Sequence, residues 1–366
     1  MPTHNANNER IKRTYFAYLQ EAKRQNEATV DEVAKAISRF ETYTDHRDFK
    51  AFHVEQAIAF KKYLSQQESR VTGQKLSKAT LHSTLASLKR FFHWLAGQPG
   101  YRSRLKYSDC DYFNLSEKDT RVATARREKG FPTVEQVRHV LATMPASTEL
   151  DRRDRALVAF TLLTGARDSA IASMKLKHVN VVEGSVYQDA RDVDTKYSKS
   201  FTTFFFPVGE DILKIVADWV DYLRREHLWG NDDPLFPATA IALGEDRQFR
   251  VAGLKREHWG SAGPIRKIFK EAFIAAGLPY FNPHSVRNTL VQLGQKVCRT
   301  PEDFKAWSQN LGHEQVMTTF HSYGSVTMTR QGEIIRSLTG APAEPDVTER
   351  TVIAVLRRIA AAGQLT

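Results

Sequence analysis

Cysteine is nearly absent: Cys110 and Cys298 are the two in 366 residues, too few for a disulfide framework and without metal-ligand spacing. They are expected to be reduced, half-buried thiols. The first thirty residues hold no apolar core of a secretory leader. Nowhere do apolar residues run to the roughly 18 that a membrane span needs. The richest apolar stretch, ALVAFTLLTGA, has the length of a buried helix. No G-x-x-x-x-G-K-[ST] loop is present to cradle a nucleotide. HEQVM at 313–317 opens like a zincin motif but has Met317 where the second histidine belongs. No close group of carboxylates suggests a two-metal site. These absences lead us to expect an intracellular, cytoplasmic protein whose chemistry uses neither metal nor nucleotide cofactor.

What is present is positive charge. Fifty-three Lys and Arg against 42 Asp and Glu leave a formal charge of +11. Such a surplus favours polyanions, nucleic acid first and an acidic membrane surface second. The hydrophobic share of 41% and charged share of 26% are ordinary for globular chains and supply more than one core.

Helical periodicity dominates the N-terminal third. Val33, Ile37 and Phe40 recur at helical spacing in DEVAKAISRFETY, as do Val54, Ile58 and Tyr63 in VEQAIAFKKYLSQQ. In KATLHSTLASLKRFFHWLAG, Leu81, Leu85, Leu88, Phe92 and Leu95 form a stripe that Gly97 ends. The other face carries Lys78, His82, Lys89, Arg90 and His93, which would either be solvated or meet phosphates. From about Gln98 the pattern fades into a polar stretch ending in Arg121, Arg126, Arg127 and Lys129, which reads as a basic interdomain linker. Helix resumes at FPTVEQVRHVLATM with Thr133 as N-cap. VNVVEGSVY predicts a hairpin turning at Glu183-Gly184, and TKYSKSFTTFFFPV a further strand. Helices follow from Asp211 onward, and TERTVIAVLRRIAAAG reads as an amphipathic tail helix.

Three segments are rich in phosphate-binding chemistry. In LLTGARDSAIASMKLKHV, Arg167 follows a Thr-Gly turn at the end of a buried helix, where rigid support would let its fork grip a phosphate. In FNPHSVRNTL, Asn282 can cap a helix whose first turn takes Pro283. His284 and Arg287, three apart, would share one face near its positively biased N-terminus. In LGHEQVMTTFHSYG, Gly312 makes a turn, His313 opens a new segment, and Tyr323 follows.

In this order and separation the segments resemble the TGLR-type, HxxR and LGH…Y boxes of the tyrosine recombinases, or phage integrases. The resemblance covers residues 131–335, and a helical N-terminal domain plus linker matches the family layout. It implies that Arg167 and Arg287 clamp the scissile phosphate, and that His284 and His313 bond its oxygens or move protons. It also implies that Tyr323 is the nucleophile forming a 3′-phosphotyrosyl link. The family's catalytic lysine sits on a hairpin turn after the first arginine; of Lys196 and Lys199, Lys196 matches better. Two positions depart from the family pattern. Ala170 stands where an acidic residue is frequent, and the family's tyrosine usually lies one residue nearer the histidine, where this chain has Ser322.

The fold so implied is mainly α with a small β-sheet. A helical core-DNA-binding domain covers 1–115, a basic linker 116–130, an α-rich catalytic domain 131–340, and a tail helix 341–366 available for exchange between protomers. The expected partner is duplex DNA with inverted core sites, gripped by Lys78, Lys89, Arg90, His93, Arg126 and Arg127. The expected assembly is a tetramer on paired sites, with no cofactor and a location on cellular DNA. Two other functions fit the same residues: a type IB topoisomerase or telomere resolvase, and a DNA-binding protein on this scaffold with impaired catalysis.

Overall fold

A computed structural model describes residues 4–69, 73–125, 130–195, 199–243 and 247–313, with 352 and 354. The chain divides into two compact units, residues 1–127 and 128–366.

The first unit is helical: α1 (Ala6–Ala17), α2 (Glu27–Tyr43), α3 (Val54–Gln66), α4 (Lys78–Ala96) and α5 (Glu117–Thr124). Ser77 caps α4 by accepting from the Thr80 amide at 3.1 Å. The predicted stripe of α4 is buried throughout, and Phe91 joins it. The core is aromatic: Phe40, Phe49, Phe60, Phe91, Phe92 and Phe113 are all fully enclosed, and the Phe52 and Phe92 rings stand 4.3 Å apart. Each such side chain contributes about 1.5–3 kcal/mol on leaving water.

Two readings need correction here. On α3 the buried face is Ala57, Phe60 and Leu64, whereas Ile58 is exposed. The stripe Val54, Ile58 and Tyr63 is rotated from the buried one. The stretch after Gln98 is not all linker: Tyr101, Leu105, Cys110 and Phe113 are buried in this core, and α5 packs on α4. Widely spaced apolar residues in a 3₁₀ turn, Tyr107–Phe113, carry no α-helical period.

The second unit contains α6 (Val134–Thr143), α7 (Glu149–Thr164), α8 (Asp168–Ser173), α9 (Glu210–Arg225), α10 (Gly263–Ala275), α11 (Val286–Val297) and α12 (Pro301–Asn310). Thr133 caps α6 through a reciprocal pair of bonds with Gln136. The α7 helix is the spine, buried without interruption from Ala156 to Thr164. That matches an apolar run with no polar face. A three-stranded antiparallel sheet runs β1 (Val179–Asn180), β2 (Ser185–Gln188), β3 (Phe201–Phe204), with Val179 opposite Val186 and Val186 opposite Thr203. The first turn is wider than a two-residue hairpin: it spans 181–184 and ends on Gly184 at φ 63°.

A second sheet was not foreseen. β4 (Ala238–Leu243) and β5 (Phe249–Lys255) form an antiparallel ribbon. Ile241, Leu243, Phe249 and Val251 are exposed along it, so no buried face imposes the polar–apolar alternation that betrays a strand.

Candidate active site

The site grows from the end of α7. Gly165 closes that helix in the left-handed conformation, φ 61° and ψ 19°. A Cβ there would stand 2.9 Å from Leu290 Cδ1 and 3.1 Å from Leu311 Cδ2, so glycine is required twice over. Thr164 braces the turn by accepting from the Ala166 amide at 3.1 Å. The chain then extends to Arg167, the half-buried N-cap of α8. Asp168, beside it, accepts from Arg266 Nε of α10 at 2.7 Å, and Ala170 is enclosed in the core.

Asn282 caps the second segment by accepting from the Ser285 amide at 3.1 Å. The structure departs from a single helical face for the next two residues. His284 lies exposed in a 3₁₀ turn, Pro283–Ser285, whereas Arg287 lies in α11 and is buried.

Arg287 holds the site together. Its Nη1 donates to the Gly165 carbonyl at 2.6 Å, and its Nη2 donates to the Leu311 carbonyl and meets His313 Nε2 at 3.0 Å. A guanidinium has only donors, so Nε2 of His313 accepts and the ring carries its proton on Nδ1. Burial first, and the charge of Arg167 second, push the Arg287 pKa down to about 9, leaving it cationic at neutral pH. Two guanidinium groups that raise each other's electrostatic cost are relieved by an anion between them, and a phosphate diester suits their planar forks.

The third segment is set by the end of α12. Gly312 turns at φ 69°, where a Cβ would meet the Phe201 ring at 2.8 Å. The His313 amide then bonds back to the Ser308 carbonyl at 3.1 Å. Asn310, which the sequence reading passed over, joins this turn to β3. Its Oδ1 accepts from the Phe204 amide at 2.7 Å and its Nδ2 donates to the Phe204 carbonyl at 2.8 Å. An amide side chain beside L-G-H was the available sign.

The structure thus brings Arg167, Arg287 and His313 together around the Gly165 turn. Lys196 and Tyr323 lie outside the described residues, as do Arg126 and Arg127. On α4, Lys78 is ion-paired with Asp119 at 2.8 Å and Lys89 with Asp111 at 2.7 Å. Arg90 reaches Ser87 Oγ at 3.3 Å, and the His93 ring packs against Tyr107. Both cysteines are free, Cys110 buried and Cys298 half-buried.

The family model described as phage integrase family matches residues 131–330. The tyrosine recombinase XerC of Lactobacillus delbrueckii subsp. bulgaricus is 26% identical over 253 residues, covering 68% of this chain and 72% of that protein. XerC of Escherichia coli O157:H7 is 25% identical over 245 residues, covering 67% and 69%. Among solved structures, a lambda integrase dimer bound to a COC′ core site superposes with a TM-score of 0.57 at 14% identity, covering 87% of this chain and 96% of that one. The XerH site-specific recombinase bound to palindromic difH gives 0.56 at 16% identity, covering 90% and 84%. These last two establish likeness of fold. With a family model matched over more than half its length, the chain belongs to the phage integrase family of tyrosine recombinases, DNA strand-transferases of site-specific recombination.

Proposed function

We propose that this enzyme cuts and rejoins duplex DNA through a 3′-phosphotyrosyl link on Tyr323, with no metal or ATP in the reaction. The observation that carries the reading is the buried Arg287, fixed to Gly165, Leu311 and His313 with the Arg167 charge beside it.

In this mechanism Arg167 and Arg287 bind the non-bridging oxygens of the scissile phosphate, and His313 donates to one of them from Nδ1. The Tyr323 oxygen attacks phosphorus. The bond to the 5′-oxygen breaks, and Lys196 gives that oxygen its proton. His284, exposed at its turn, takes the phenol's proton. A phenol has a pKa near 10, so it needs both cations and an acceptor. The phosphotyrosyl bond conserves the energy of the phosphodiester, so a second 5′-hydroxyl reverses the step without ATP.

The family's DNA-bound relatives support the partner. The solved lambda integrase includes a tetramer bound to a Holliday junction; four copies of this chain on two inverted core sites is the corresponding assembly. Residues 1–115 would bind the core site, 131–340 perform the chemistry, and 341–366 dock on a neighbouring protomer. Lys78, Lys89, Arg90, His93, Arg126 and Arg127 would contact phosphates. Lys78 and Lys89 would then exchange Asp119 and Asp111 for DNA.

The test is a nicked suicide substrate carrying the native core site, in the presence of chelator. A covalent protein–DNA adduct on a denaturing gel is expected. Binding without an adduct would mean a DNA-binding protein without catalysis. Relaxation of supercoils without strand exchange would mean topoisomerase chemistry.

A further inference from the structure

The β2–β3 connection, which the proposed mechanism uses to deliver Lys196, is tied to the 3₁₀ turn that follows α8, Leu176–His178, by a charge cluster that the chemistry does not itself employ. Asp192 lies at its centre. Its Oδ1 accepts from Lys175 Nζ and its Oδ2 from Lys177 Nζ, both at 2.7 Å. Lys177 also reaches Asp232 Oδ1 at 2.9 Å. The two ammonium groups hold the Asp192 carboxyl far below the usual carboxylate range.

His178 completes the cluster. Its Nδ1 accepts from the Lys175 amide at 3.0 Å, so the ring proton is on Nε2. That nitrogen is buried without a hydrogen-bond partner and faces Asp192 Oδ2 at 3.6 Å. Burial lowers the His178 pKa, so the ring stays neutral and adds no third cation.

The backbone around Asp192 is fixed as well. The amides of Asp192 and Val193 both donate to the Asp189 carbonyl, and Val193 is enclosed in the core. One residue on, the Asp194 amide donates to Ser173 Oγ at 2.8 Å, and Ser169 Oγ donates to the Asp194 carbonyl at 3.2 Å. Ser169 and Ser173 lie on α8, the helix that Arg167 caps. On the returning limb, Ser200 Oγ accepts from the Ala190 amide at 2.9 Å. A loop between two strands normally wanders. Here the limb up to residue 195 is held to the same short helix that presents the first arginine.

We infer that Asp192, with Lys175 and Lys177, is a positioning residue that sets the β2–β3 connection against the turn following α8 so that protonation of the leaving 5′-oxygen keeps pace with phosphate binding. A lone exposed ion pair would do little. One carboxylate shared by two lysines, backed by a buried histidine and two serine bonds, orients the limb. This inference rests on the proposed role of Lys196.

The experiment compares Asp192→Asn and Lys177→Gln with the unaltered enzyme on two suicide substrates. One has the ordinary 5′-bridging oxygen and the other a 5′-bridging sulfur, which leaves without needing a proton. Adduct formation by the unaltered enzyme on the ordinary substrate tests the proposed function separately. Both variants should bind DNA normally and cleave the oxygen substrate about tenfold or more slowly, since small misplacements of catalytic groups cost that much. On the sulfur substrate both should recover nearly the unaltered rate. Equal deficits on the two substrates would mean the cluster merely supports the fold, and unaltered cleavage of the oxygen substrate would mean it positions nothing. Either result overturns the inference.

Discussion

Arg287 donates to the carbonyl of Gly165 across 2.6 Å, joining residues 122 positions apart in the chain. That bond puts the end of the spine helix, the turn before Arg167 and the start of α11 into one rigid unit. The arginine box and the HxxR box are therefore two sides of one contact, and a defect on either side reaches both.

Gly165→Ala should lose stability and cleavage together. The left-handed backbone costs an alanine about 1–2 kcal/mol. Crowding against Leu290 and Leu311 adds about 1–3 kcal/mol. Urea unfolding and a single-turnover cleavage rate measure the two effects. An alanine variant as stable and active as the parent would remove the basis for reading this glycine as the hinge of the site.

Arg287→Lys keeps the charge but loses the fork. A single ammonium cannot serve Gly165, Leu311 and His313 together, and each buried carbonyl left unpaired costs about 1–3 kcal/mol. Loss of transition-state stabilisation should slow cleavage by about 10²–10³-fold. The check is a cleavage time course at saturating DNA, where undiminished rates would argue that charge alone suffices.

Alkaline pH should weaken the first unit. Burial pushes the Tyr15 phenol up to about 12 and the Cys110 thiol up to about 11. Both groups are neutral when protonated, so folding favours the protonated form. Their contribution is fully present below the ordinary values near 10 and 9, and is lost as pH rises through 11 and 12. For Tyr15 this amounts to about 2–3 kcal/mol. In melts between pH 9 and 12, Tyr15→Phe should lose less stability with rising pH than the parent. Parallel curves would show that Tyr15 does not drive the loss.

DNA affinity should fall steeply with salt, and Lys89 should account for part of the slope. Each neutralised phosphate contributes about −0.9 to log affinity against log salt. Lys89→Gln should therefore flatten the slope by nearly that amount, whereas Asp111→Asn, which frees Lys89 from its carboxylate, should tighten binding. Anisotropy titrations at several salt concentrations decide this; an unchanged slope would place Lys89 off the DNA.

Much of this architecture is legible in the sequence, and what is not has identifiable causes. The α4 stripe, the Thr133 cap and the buried α7 are local patterns of period or capping chemistry, and such patterns survive into the fold. The true buried face of α3 depends on which neighbours surround it, because Ala57 is small and Ile58 can stand in solvent. The β4–β5 ribbon has no buried side to enforce alternation. At the site, residue types pointed to Arg167, Arg287 and His313. The bonds that unite them run through backbone carbonyls of Gly165 and Leu311, which no side-chain motif spells out. Asn310 likewise works through the backbone of Phe204, far away in the chain.

Mapping the covalent adduct identifies the nucleophile. Ser322 stands at the family's usual distance from His313, and Tyr323 one residue beyond. A phenoxide is a more accessible nucleophile and a better leaving group than a serine alkoxide, and a reversible transfer requires both. Adduct trapped on a nicked suicide substrate should be digested and its DNA-linked peptide sequenced by mass spectrometry. The prediction is a phosphodiester on Tyr323, abolished by Tyr323→Phe with binding intact and retained by Ser322→Ala. A DNA-linked Ser322, or an adduct that survives Tyr323→Phe, would contradict it.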